Sequence, residues 1–116
     1  MQKNFQWYKI ADNADALFGI ESKALRVIEV NGKKLTVALY DQNIFAIAYT
    51  CPHAGGILVD GFVDSHGNIV CPNHHYRFKL QDGRNISGEG YRLKTWPVER
   101  REEGIYVGLD AADMGS

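Results

Sequence analysis

An all-β fold is the class this sequence predicts, and three observations predict it. Glycine punctuates the chain at short intervals, twelve times in 116 residues. The apolar runs between these turns have strand length, and no segment keeps a sustained helical repeat. The dipeptide Asn31-Gly32 separates Leu25 to Val30 from Lys33 to Tyr40. Asn-Gly supplies the positive φ angles that a two-residue hairpin turn demands.

Taken in order, Phe5 to Ile10 is expected as a first strand. Ala11 to Phe18 is expected to hold one helical turn, capped by Asp12 or Asn13. After the Asn31-Gly32 hairpin, Asp41-Gln42-Asn43 turns the chain again, and Ile44 to Tyr49 reads as a buried strand leading to Cys51. Gly55-Gly56 provides backbone that other groups can approach closely. Gly61 to Asp64 and Asn68 to Cys71 flank Ser65-His66-Gly67 as a second hairpin. Arg77 to Leu80 and Arg84 to Ile86 flank Gln81-Asp82-Gly83 as a third. Leu93 to Arg100 and Gly104 to Leu109 would close the sheet, with Pro97 marking an edge or a bulge and Glu99 to Glu103 forming a charged turn. Trp7, Phe45, Tyr49, Phe62 and Trp96 are expected in the core. Ala111 to Ser116 has the composition of a loose end.

The length predicts a single domain over residues 1–116, large enough for one modest core. Thirteen basic and fourteen acidic residues leave a net charge of -1. That balance excludes the basic excess expected of a nucleic-acid or anionic-membrane partner. The N-terminal residues lack the apolar stretch of a signal peptide, and the longest apolar run, Ile44 to Tyr49, is far too short to cross a bilayer. Two cysteines do not make a disulfide framework, so a reducing, cytoplasmic compartment is expected.

Those two cysteines carry the chemistry. Cys51-Pro52-His53 is followed by seventeen residues, Ala54 to Val70, and then by Cys71-Pro72-Asn73-His74. A structural zinc site usually draws both cysteines from one arm and both histidines from another. Here each arm offers one thiolate and one imidazole. A binuclear iron–sulfur cluster gives that arrangement a reason, because two arms can each supply one ligand to each iron. Zinc remains the alternative metal. His75 adjoins His74 without the matching spacing and reads as a surface residue, as does His66 in its turn. Arg77, Lys79, Arg84, Arg92 and Lys94 follow the second arm and read as a solvated face or a steering patch for an acidic partner.

The two arms and their spacer resemble the C-x-H…C-x-x-H signature of Rieske proteins, in which two histidines replace two cysteines on one iron of a [2Fe–2S] cluster. Phe78, four residues after His74, resembles the aromatic of Rieske-type ferredoxins. Gly55-Gly56 and Asp82-Gly83 resemble the family's loop glycines and following turn. The resemblance covers nearly the whole chain. It implies a Rieske fold of stacked antiparallel sheets, with a cluster-binding subdomain at about 49–86 inserted in a larger β base. It implies Cys51, His53, Cys71 and His74 as ligands, the cysteines on a buried iron and the histidines on the solvent side. The respiratory-chain members carry a further cysteine in each arm, at positions occupied here by Gly56 and Asn73, so no cross-arm disulfide is expected. Their Ser and Tyr donors to the cluster sulfurs fall at Tyr76 and Phe78. Phe78 cannot donate, which implies a low reduction potential, about -150 mV.

The function implied is that of a one-electron carrier, similar to the ferredoxin components of oxygenase systems. Such a carrier takes an electron from a flavin-dependent reductase and passes it to a terminal oxygenase. Catalysis by the chain itself is not expected, since a mononuclear iron site would need two more histidines and a carboxylate in a second pocket. One alternative is the small subunit of a larger reductase such as nitrite reductase, a family of similar length. The other is a zinc-stabilised binding module.

Overall fold

The Asn31-Gly32 hairpin forms the spine of the molecule. In the computed structural model, which describes residues 5–19, 24–52, 55–73, 75–87 and 92–110, Asn31 and Gly32 sit at φ 53° and 82°. They join β2 (Leu25–Val30) to β3 (Lys33–Tyr40) with Val30 opposite Lys33. A second tight turn places Asp41 and Gln42 at φ 51° and 65° and leads into β4 (Asn43–Ala48). Ahead of the hairpin, β1 (Gln6–Ala11) precedes the short helix α1 (Ala14–Phe18). Asn13 caps that helix, its side chain accepting the Ala16 N–H at 2.8 Å. Of the two residues expected to cap, Asn13 is the one that does.

Beyond β4 come a single 3-10 turn (Leu58–Asp60) and the short strands β5 (Phe62–Val63), β6 (Asn68–Val70) and β7 (Arg77–Lys79). The chain then forms β8 (Thr95–Trp96), β9 (Val98–Arg101) and β10 (Gly104–Leu109). Three antiparallel sheets result, ordered β1-β10-β9, β2-β3-β4-β8 and β5-β6-β7.

The four-stranded sheet lies between the other two and is buried on both faces. Leu35, Val37, Ile44 and Ala46 pack with Trp96 of β8, with Ile105, Val107 and Leu109 of the first sheet and with Phe18. Ala38 and Ile47 pack on the opposite side with Leu58, Ile69, Cys71 and Phe78 of the small sheet and its arms. Burial on both faces explains why Leu35-Thr36-Val37-Ala38 runs without the alternation of a one-faced strand.

Three expectations need correction. Leu93 to Arg100 is not one strand. Pro97 has no N–H and a fixed φ, and there the chain leaves β4, which pairs with Trp96, and joins β10, which pairs with Val98. The charged segment Glu99 to Glu103 is not all turn, since Glu99 to Arg101 lie in β9. Phe62 is not core: it is 53% exposed. Its strand is only two residues long, and alternation sends Val63 toward the core and Phe62 outward. Trp96 is buried as expected, while Trp7, Phe45 and Tyr49 are half-buried. Ala111 to Ser116 lie outside the described residues.

Candidate metal centre

Both cysteines stand where a strand of the fold runs out. β4 leads through Tyr49 and Thr50 into Cys51, and β6 leads directly into Cys71. Each then opens a loop that closes in the same way. The Cys51 N–H donates to the Gly56 carbonyl at 2.8 Å, and the Cys71 N–H donates to the Tyr76 carbonyl at 2.8 Å. Both loops therefore close on the fifth residue after the cysteine. Bridge pairing of Thr50 with Ile57 anchors the first loop. The second closes through His75, a non-glycine residue in the left-handed region at φ 56°, a conformation that collects at functional loops. His75 and His66 are exposed, as their sequence positions predict.

The thiols converge. Cys51 and Cys71 are 2% and 0% exposed and belong to the same buried cluster, with Leu58, Ile69 and Phe78. Burial pushes the Cys71 thiol up from its ordinary value; the backbone N–H of Asn73 acts in the opposite direction, and Cys51 beside it adds to the upward push. A buried thiol that resists ionising, with a second buried thiol beside it, is what a cation would pull into the thiolate form. Gly56 leaves room for it: a Cβ there would stand 3.1 Å from Cys71 Sγ and 3.2 Å from Asn73 Nδ2. Gly56 and Asn73, the two positions compared with the respiratory-chain cysteines, thus face each other across the arms without a covalent link. The donor set fits an iron shared by two thiolates.

His53 and His74 lie outside the described residues. In the sequence His53 lies between Cys51 and Gly56, and His74 between Cys71 and Tyr76. Among the described residues no group of three or more metal-binding side chains occurs.

Two features of the site escaped the sequence reading. Asp64 is a hub at the base of the small sheet. Its carboxylate accepts the His66 and Asn68 N–H groups at 2.9 and 3.0 Å and the Asn68 side-chain amide at 3.1 Å. Arg77 reaches it at 3.4 Å. Burial works against ionisation of Asp64, but the Asn68 and His66 hydrogen bonds and the Arg77 charge outweigh it and hold the group below its usual range. An Asp ahead of Ser-His-Gly is a recognisable turn signal that could have found it. The other is the close approach at Gly83, which the sequence offered only as a turn glycine: at φ 79°, a Cβ there would stand 1.9 Å from the Leu93 carbonyl oxygen.

Comparison with known proteins agrees with this construction. The family model described as the Rieske [2Fe-2S] domain matches residues 6–97. The ferredoxin component of the naphthalene 1,2-dioxygenase system of Pseudomonas aeruginosa is 29% identical over 98 residues, covering 84% of this chain and 93% of that protein. A solved complex of reduced oxygenase and oxidized ferredoxin in carbazole 1,9a-dioxygenase contains a chain that is 26% identical, with a TM-score of 0.72 over 87% of this chain and 91% of that one. A structure assigned to an NADH-dependent nitrite reductase small subunit from Mycobacterium tuberculosis superposes with a TM-score of 0.78 over 93% of this chain and 98% of that one. At 19% identity that likeness shows the fold. No helix among the described residues is long and apolar enough to cross a membrane.

Proposed function

Because the chain belongs to the Rieske [2Fe-2S] domain family, we propose that it is a one-electron carrier of the oxygenase-ferredoxin type, with Cys51 and Cys71 on one iron and His53 and His74 on the other. When bound, the cluster takes up and releases single electrons. The chain's own residues supply placement and exclusion of water. The matched loop closures at Gly56 and Tyr76 set the two arms side by side. Leu58, Ile69 and Phe78, each fully buried, line the thiol edge. Residues 49–86 act as the cluster-binding subdomain, and the two other sheets form its base. Phe78 offers no donor to a cluster sulfur, which supports a midpoint near the low end of the Rieske range, about -150 mV. Potentiometry of the loaded protein checks this, and a value above about +100 mV would show that other donors compensate.

The observation that carries the reading is the convergence of two buried thiols from separate, identically closed loops beside a glycine whose Cβ would crowd Cys71 Sγ and Asn73 Nδ2. Unbridged thiols also support a reducing, cytoplasmic setting. The partners are a flavin-dependent reductase upstream and a terminal oxygenase downstream, as for the relatives named as ferredoxin components. The test is electron passage. Anaerobic protein mixed with a trace of such a reductase and half an equivalent of NADH should bleach by one electron per chain, and oxidised Rieske-type terminal oxygenase added next should be reduced at the carrier's expense, read from the separate electron paramagnetic resonance signals of the two clusters. Absence of bleaching, or uptake of electron pairs, would overturn the carrier reading. Co-purification from the native source in a permanent complex with a large reductase subunit would instead favour a subunit role.

A further inference from the structure

The outer face of the small sheet is not used by the thiol site. Its registers lay it out as two rows. Phe62 pairs with Val70, and Val70 with Arg77. The Ile86 N–H donates to the Arg77 carbonyl at 3.0 Å, so Ile86 continues that row. In the next row the Asp64 N–H donates to the Asn68 carbonyl, Asn68 pairs with Lys79, and the Lys79 N–H donates to the Arg84 carbonyl at 2.9 Å. Strand alternation keeps Phe78 and Ile69 on the other, core side.

This face is charged and apolar in an ordered way. Phe62 and Ile86, 53% and 44% exposed, stand at its two ends. Arg77 leans across β6 to Asp64 at 3.4 Å, which neutralises one cation. Lys79 and Arg84 sit directly opposite each other, an arrangement that destabilises a sheet, and among the described residues neither has an acidic side-chain partner. Three cations against one acid leave a surplus of two positive charges, on a chain whose net charge is -1. The other basic residues after the second arm are engaged elsewhere: Arg92 Nε donates to the Asp82 carbonyl, and Lys94 lies over the Trp96 ring. Asp82 itself caps the turn, accepting the Arg84 N–H.

We propose that this face docks an acidic protein surface that carries apolar side chains at its two margins, the chain's redox partner. The inference rests on the carrier reading for the partner's identity. Charge complementarity selects the occupant: a second copy of this chain would bring cation against cation. The three strands and the bridged segment 84–86 span about 14 Å, a width that suits a transient encounter better than a permanent interface. The face adjoins the second arm, since Cys71 directly follows Val70 and Arg77 directly follows Tyr76, so a partner seated here would lie beside the thiol site.

The probe is a Glu-rich peptide of about 16 residues, long enough to cross the sheet when extended, carrying a Leu and a Phe about four residues apart to match the spacing of Phe62 and Ile86. A second peptide of equal charge has Ser at both of those positions. Binding to the holoprotein is followed by NMR of backbone amides. The peptide with Leu and Phe should bind more tightly than the peptide with Ser and shift the amides of Phe62, Arg77, Lys79, Arg84 and Ile86. Affinity should fall about tenfold or more in Lys79→Glu/Arg84→Glu and on raising ionic strength from about 0.02 to about 0.3 M. Lys79→Gln/Arg84→Gln should give a smaller loss, and Phe62→Ser/Ile86→Ser should abolish the preference between the peptides. Shifts centred elsewhere, indifference to the Lys79 and Arg84 substitutions, self-association through this face, or tighter binding of single-stranded DNA of equal charge would each overturn the proposal. Iron and sulfide are assayed in the same samples. A chain that binds the peptide but holds no cluster would overturn the carrier reading and leave the face standing, whereas a loaded chain that ignores the peptide would overturn the face alone.

Discussion

In the four-stranded sheet, β2, β3 and β4 are paired through six registered positions at each junction. In the small sheet β5 and β6 share two positions and β6 and β7 three. The first region is held by long ladders and by apolar burial on both faces. The second has little ladder, and turn chemistry stands in for it: the Asp64 hub, the Tyr40 hydroxyl donating to the Ser65 carbonyl at 2.7 Å, and glycines at close approaches. A short-stranded, loop-rich sheet suits the part of the molecule that must present two matched arms, while the regular sheet behind it supplies a rigid floor.

If that division holds, the largest effect belongs to the arms. Cys71→Ser should leave the purified chain with essentially no iron or sulfide, while amides of Leu35 and Val37 keep their slow hydrogen exchange. Loss of that protection would mean that the two regions do not fold separately enough for the comparison to stand. Gly83→Ala strikes the seam between them, since its Cβ would meet the Leu93 carbonyl in a left-handed backbone. A loss above about 4 kcal/mol is expected in denaturant melts, and a loss below about 1 kcal/mol would show that the seam yields.

Core truncations sharpen the contrast. Leu35→Ala in the floor should lower global stability by about 2–5 kcal/mol, and Phe78→Ala in the small sheet by about 3–5 kcal/mol. The two should part in a second measurement: cluster release to an iron chelator should quicken markedly in Phe78→Ala and only slightly in Leu35→Ala. Equal rates would contradict the assignment of Phe78 to the wall of the thiol site.

The smallest expected effect is a pH dependence. Asp64 is held below the ordinary carboxylate value of 3.8. A depressed group contributes stability that is complete above its unfolded value and is lost as pH falls through its folded value. Protection of the His66 and Asn68 amides, taken relative to their intrinsic exchange rates, should therefore fall on acidification below about pH 4. Asp64→Asn should remove that acid limb and lower neutral-pH stability by about 1–3 kcal/mol. An unchanged acid limb in the variant would place its origin in another carboxylate.

The same comparison separates what could be read in advance from what could not. The Asn31-Gly32 hairpin was legible to the residue because a local φ requirement determines it. The meeting of Cys51 and Cys71 was legible because two lone thiols in matched arms have few other uses, while the histidines of those arms lie outside the described residues. The sheet change at Pro97, the exposure of Phe62 and the double burial of β3 depend on which sheet stacks on which, a long-range choice that a local pattern does not encode. Asp64 was missed for a different reason: its turn signal is local, but its importance comes from Arg77, thirteen positions later.

The central claim is that two thiols from separate loops hold one edge of a two-iron cluster. Iron and acid-labile sulfide in anaerobically prepared protein, read together with the visible spectrum, test it most directly. Two irons and two sulfides per chain are predicted, in a red-brown protein that bleaches on reduction. A colourless protein holding one zinc and no sulfide would contradict it.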